Sequence, residues 1–145
     1  MADLTLVYED DVLRVHYSEQ GRYFLSDWLG VFRKGAQLRR AYQACVELAR
    51  RRSPSVWLAD TSQLPVLDPV DAKWVADWFW PEFARAGVRY MAAVSPQKIV
   101  SKMSASRATE GLLESGSMEI SVHDTRAQAE AALLEWQRKH ADGGE

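Results

Sequence analysis

Residues 55–96, SVWLADTSQLPVLDPVDAKWVADWFWPEFARAGVRYMAAVSP, decide the fold. The stretch opens with an apolar run, Val56-Trp57-Leu58-Ala59, and closes with another, Met91-Ala92-Ala93-Val94. Short apolar runs read as buried strands, whereas apolar residues between about Asp68 and Ala86 recur at three- and four-residue steps, the period of a helix. Strand, helix and strand in succession imply a right-handed crossover and a parallel pair. Asp68-Pro69 is a good helix start, because Asp caps free amides and Pro suits the first helical position. The same helix holds three of the chain's six tryptophans, Trp74, Trp78 and Trp80.

Residues four apart share a helix face. Val75, Phe79 and Phe83 form one stripe, backed by Ala72 and Ala76, while Val70, Trp74 and Trp78 form a second, roughly 100° round the wheel. Pro81 removes a backbone donor and disfavours helix at Trp80, so a kink or new helical start is expected near 80–81. One stripe covers a sheet. The other packs under a neighbouring helix or loop, or presents an aromatic surface to a partner or ligand. The expectation is that Val75 and Phe79 enter the core, with Trp74 or Trp78 near the edge of a contact surface that includes Val70.

Outward from this unit the pattern continues. A weaker helical pattern lies within 97–114, then a strand, MEISVHD, and a helix, TRAQAEAALLEWQRKH. Thr125 and Gln128 fit a capping box, and Ala129, Ala132, Leu133 and Trp136 form the apolar stripe. Upstream, Leu13, Val15 and Tyr17 alternate with Arg14, His16 and Ser18, the period of a half-buried strand. Polar turns on either side make residues 4–30 an antiparallel meander of three strands. From about Arg33 to Arg52, Leu38, Ala41, Tyr42, Cys45, Leu48 and Ala49 mark a helix, closed by three arginines and Ser53-Pro54. The expected architecture is α/β: a mixed sheet, antiparallel at its start and continued by βαβ units, with about four helices packed on it. Residues 1–140 form a single domain and 141–145 a flexible tail. Leu13, Val15, Tyr17, Trp57, Leu58, Val75, Phe79, Met91, Ala93 and Val94 are expected to be buried.

The 145 residues are a one-domain length, with 47% hydrophobic and 26% charged residues, ordinary globular proportions. A net charge of −2 gives no reason to expect nucleic acid or an acidic membrane surface. No run approaches the roughly 18 apolar residues of a spanning helix, and no secretory signal is expected. With one cysteine, Cys45, there is no internal disulfide. Cytoplasmic location, with no membrane insertion, is the expectation.

By residue 96 the chain resembles the bacterial STAS-like, SpoIIAA-like small proteins of largely unassigned function. The residues that carry the resemblance are the strand ending Trp57-Leu58-Ala59-Asp60, a Trp in the next helix and the Trp80-Pro81 break. Ala86-Gly87 before an apolar strand ending near Pro96, the Trp28-x-Gly30 step, and the closing strand and helix with Trp136 match as well. The resemblance covers most of residues 4–137 and implies a mixed sheet with helices on it, used in regulation or as an interaction module. Anti-anti-sigma members carry a phosphorylated serine at the start of the helix after this strand. Here that place reads Leu67-Asp68-Pro69-Val70-Asp71, without the acceptor. Thr61 and Ser62 lie upstream, where their hydroxyls are expected to satisfy local backbone groups.

Ligand sites in open α/β sheets favour the carboxyl ends of parallel strands. Asp60, Ser62, Ser95, Gln97, Lys98, His123 and Asp124 come from those ends and are the candidates for a polar pocket; the same residue types also make caps and turns. No spacing is diagnostic of catalysis, and no catalytic residue, metal or cofactor is expected. Ser95-Pro96-Gln97-Lys98 fits Ser-x-x-Lys, but the accompanying motifs of penicillin-recognising enzymes are missing. Cys45 falls on an apolar stripe, as a core thiol does. The leading expectation is a non-enzymatic regulatory or protein-interaction module, with a protein partner or itself as a homodimer. The alternative is a binder of a small apolar or lipid-like ligand, and the third is an enzyme using the polar strand ends.

Overall fold

The computed structural model describes residues 3–30, 35–64, 67–96 and 118–141. Their elements are β1 (Leu4–Glu9), β2 (Leu13–Ser18), β3 (Tyr23–Trp28), α1 (Gly35–Arg52), β4 (Val56–Asp60), α2 (Pro69–Trp74), a π-turn (Val75–Phe79), α3 (Trp80–Arg85), β5 (Tyr90–Val94), β6 (Glu119–His123) and α4 (Arg126–His140). The six strands stand in the sheet in chain order. β1, β2 and β3 pair antiparallel, and β3 to β6 are parallel. This is the mixed α/β sheet the sequence implies. The fourth helix, expected within 97–114, and residues 142–145 of the tail lie outside the described residues.

Side chains of a strand alternate between faces. Trp57, Ala59, Met91 and Ala93 join α1 and the α2–α3 helix on one face. Val56, Leu58, Tyr90, Ala92 and Val94 join Ala129 and Leu133 of α4 on the other. Both sides of β4 and β5 are therefore covered, and every residue of both strands is buried. That two-sided cover is why these strands read as continuous apolar runs. All ten residues expected in the core are buried.

The α4 face has no core residue from β1 or β2. Leu13, Val15 and Tyr17 consequently alternate in burial with Arg14 and His16. His16, on the polar side of that alternation, is half-buried, and its Nδ1 has no hydrogen-bond partner among the described residues. α4 starts on the expected capping box: the Thr125 side chain accepts from the Gln128 N–H, and Gln128 reaches back. Tyr23 donates to Glu130 Oε2 at 2.8 Å, tying the helix to β3. His140 closes the last turn of α4, and its ring stacks on Trp136 at 3.8 Å.

α3 does start at Trp80, as expected near 80–81, but without a break in the helical backbone. The chain stays in right-handed helical conformation through Trp80, at φ −62° and ψ −44°. The turn just before Pro81 widens instead, and the Trp80 N–H bonds to the Val75 carbonyl, five residues back. A proline ring clashes with the carbonyl four residues before it, and a wide turn relieves that clash without breaking the helix. The widening changes the phase. A turn closed five residues back holds more residues than an α-turn, so Trp80 is rotated back towards the Val75 side of the helix and is 6% exposed. Phe83 follows it inward and is fully buried. Gly87, at φ 111°, then ends the helix in the left-handed region that suits glycine.

Two further residues fix how α1 meets this helix. A Cβ at Gly35 would stand 2.8 Å from both carboxylate oxygens of Asp71, so any other residue there would have to push the Asp71 carboxylate aside. Asp71 thereby places negative charge beside the start of α1, where the helix dipole favours it. No helix among the described residues is long and apolar enough to cross a membrane.

Candidate functional site

The α2 surface is set by its cap. The Asp68 carboxylate accepts from the Val70 N–H at 2.8 Å, and Pro69 occupies the first turn. Val70 is left 67% exposed, the most open large hydrophobic residue among those described. One turn on, Trp74 is half-buried, with its ring edge-on to Tyr42 at 6.2 Å. Trp78 stacks on Trp74 with ring centroids 4.9 Å apart and planes 17° apart. The wide turn keeps the two indoles close to one line along the helix.

The pair is held in place by charge. The Arg39 guanidinium lies 5.3 Å from the Trp74 ring centre and is itself paired with Asp71 at 3.2 Å. Such a cation over an indole is worth about 0.5–1 kcal/mol at a partly exposed site. Lys73 and Asp77 form an exposed ion pair at 2.6 Å beside the indoles. The indole N–H groups of Trp57 and Trp136 donate to Ser26 and Glu119. Trp74 and Trp78 have no such acceptor among the described residues. The face therefore offers two aromatic bodies with free polar tips, next to an apolar side chain. Surfaces of that composition are favoured in protein contacts.

At the carboxyl ends of the strands the polar residues fall into separate groups. Asp60 is 7% exposed and accepts from the Ser62 N–H at 3.0 Å, the Ser62 hydroxyl at 2.6 Å, and Arg126 Nε and Nη2 at 2.9 and 2.8 Å. A carboxylate has about four acceptor positions, and four donors use them. Arg126 also reaches Asp27 Oδ1 at 3.5 Å. Asp27 and Asp60 are register partners on adjacent parallel strands, so one guanidinium from the first turn of α4 spans both. Burial acts to raise the Asp60 pKa, but bonds from Ser62 and Arg126 outweigh it and hold the carboxyl below its usual value. The group is an anchor for α4, with no open acceptor for a ligand.

His123 lies two strands from Asp60, with Val94 between them in register. That is about 9.5 Å at ordinary strand spacing. Its Nε2 is 2.8 Å from the Ser121 hydroxyl, which also bonds the Tyr90 hydroxyl. Ser95 contributes its backbone, donating to the His123 carbonyl at 2.8 Å. Asp124 is exposed, and its N–H donates to Gln128 Oε1 at 3.1 Å. The structure thus joins Ser62 to Asp60, and Ser95 to His123 through the backbone alone. Gln97 and Lys98 lie outside the described residues. Thr61 gives its hydroxyl to the Val94 carbonyl, as expected, whereas Ser62 bonds the Asp60 carboxylate rather than backbone. Cys45 is 2% exposed, and burial pushes its thiol far above the usual range. No group of three His, Cys, Asp or Glu residues able to hold a metal occurs among the described residues.

Arg126, Ser121, Tyr90, Arg39 and Asp71 are the participants that sequence reading passes over. Arg126 had one local signal: it follows the Thr125 cap and so enters the first turn, facing the strand ends. A pH test isolates its role. Because the folded Asp60 pKa is depressed, the stabilisation is present above the unfolded value of about 3.9 and is lost as pH falls through the folded value. Arg126→Met is expected to cost about 1–3 kcal/mol at neutral pH. In urea unfolding that difference should shrink towards zero in strong acid; an equal loss at both pH values would contradict an ionic anchor.

No protein-family model, curated protein or solved structure matches this chain.

Proposed function

We propose that the chain is a non-enzymatic cytosolic regulatory module of STAS-like fold, acting by protein association through Val70, Trp74 and Trp78. Its simplest partner is a second copy. The observation that carries the reading is the stacked, half-buried Trp74–Trp78 pair running on to an exposed Val70. Covering a whole side chain of this size contributes about 1.5–3 kcal/mol from area alone, and the half still exposed on each indole contributes a share of that. A two-fold contact is self-complementary, so the same patch serves both copies. The exposed Lys73–Asp77 ion pair beside the indoles adds little energy to such a contact. The polar strand ends support the non-enzymatic part of the reading, since the Asp60 carboxylate is already used by Ser62 and Arg126.

The test is sedimentation velocity from micromolar to millimolar protein, with Val70→Asp as the comparison. An exposed substitution changes stability by no more than about 0.5 kcal/mol, so folding is preserved. Wild type should associate, and Val70→Asp should weaken that association at least tenfold, about 1.4 kcal/mol. A wild type that stays monomeric throughout, or a variant that associates as tightly, would overturn the reading.

A further inference from the structure

Ser121 and His123 stand two residues apart on β6, so both side chains leave the same face of the sheet. Their register partners on β5, Ala92 and Val94, belong to the core under α4, which makes that face the α4 side. β6 is the last strand of the sheet, and both residues are only half-buried there. The Ser121 hydroxyl lies 2.8 Å from His123 Nε2 and also bonds the Tyr90 hydroxyl. Two hydroxyls and an imidazole thus form a chain, and chemistry favours one order of protons along it. A phenol donates more readily than an aliphatic alcohol, so Tyr90 donates to Ser121, and Ser121 donates to His123. Nε2 is then the acceptor, and the imidazole carries its proton on Nδ1.

A serine whose hydroxyl already points at an imidazole nitrogen is an activated nucleophile, because the base takes the proton as the oxygen attacks. The carboxylates nearest along the strand are turned to other work. Glu119 accepts from the Trp136 indole N–H at 3.1 Å, and Asp124 is exposed. We propose that Ser121 is a covalent acceptor site for a short acyl group delivered by an activated ester or thioester. A short group suits a hydroxyl that is only half-open to solvent. Oγ attacks the carbonyl carbon and forms the new C–O bond, and the hydroxyl proton passes to His123 Nε2. The donor's own C–O or C–S bond breaks, its electron pair stays with the leaving oxygen or sulfur, and that atom takes the proton from Nε2. The Tyr90 hydroxyl, released from Oγ, can turn to the carbonyl oxygen as charge builds on it. The products are an ester on Ser121 and a free alcohol or thiol. Each chain takes up one group, so this is a modification site rather than turnover, and it is separate from the Trp74–Trp78 face.

The test treats the whole chain with p-nitrophenyl acetate and follows acetylation of each serine by peptide mass spectrometry. Ser121 should gain an acetyl group faster than any other serine, and Ser121→Ala should lose that label while keeping its melting temperature. His123→Gln should slow the labelling of Ser121 about a hundredfold, within the range for a general base. The pH profile of the wild type reads the same base without a substitution: the labelling rate should rise with pH and level off once the imidazole is neutral. Ser121 labelled no faster than the other serines, a His123→Gln rate equal to that of the wild type, or a rate that climbs with pH and never levels off would each overturn the proposal.

Discussion

Trp57→Ala is expected to lower the stability of the chain by about 3–5 kcal/mol, the range for losing a large buried aromatic residue. Trp57 sits on β4, between β3 and β5, and is 1% exposed. Its ring stacks on Phe24 at 4.8 Å and meets Phe83 edge-on at 4.8 Å. It therefore joins the sheet to the helix that covers it. The indole N–H donates to Ser26 Oγ at 2.9 Å, and Ser26 is itself buried. Truncation leaves both a cavity and a stranded hydroxyl, which adds about 1–3 kcal/mol. Trp57→Phe should cost less, because a ring remains to fill the space. Urea unfolding of both variants is the measurement, and an alanine loss below about 1.5 kcal/mol would mean that the ring does not join the layers.

Trp80→Ala should cost a similar amount, about 3–5 kcal/mol, although an ordinary helical wheel puts residue 80 well away from Val75. The wide turn is the reason. It returns residue 80 to the core side, where its ring packs against Phe79 at 4.9 Å and Phe83 at 6.4 Å. Trp78→Ala is the control, because that indole is half-exposed and should cost only about 1 kcal/mol. If Trp78 proved the costlier of the two, the phase assigned to this helix would be wrong.

Much of this architecture could be read from local pattern. The alternation of Leu13, Val15 and Tyr17 reports a strand covered on one face, and the unbroken Val56–Ala59 run reports one covered on both. Asp68-Pro69 and Thr125 with Gln128 state where two helices begin. The burial of Trp80 could not be read the same way, since it depends on a change of helical phase that Pro81 only hints at. The polar residues show a second limit. Asp60, Ser62 and His123 do come from the carboxyl ends of parallel strands, as a crossover sheet requires. Whether they converge depends on spacing across strands and on Arg126, which arrives from a distant helix. The Trp74–Trp78 pair is legible as a stripe, whereas its shielding by Arg39 is a tertiary contact with no local signal.

The central claim is that one helix serves two purposes, with Val75, Phe79 and Trp80 turned to the core and Trp74 and Trp78 meeting a partner copy. Fluorine NMR of protein labelled with 5-fluorotryptophan tests it most directly, because the chain's six indoles each give a separate signal. On raising the concentration from micromolar to millimolar, the Trp74 and Trp78 resonances should shift or broaden together, while those of Trp28, Trp57, Trp80 and Trp136 hold still. Trp74 and Trp78 signals that stay fixed across the range, or a change confined to the other four, would contradict the account.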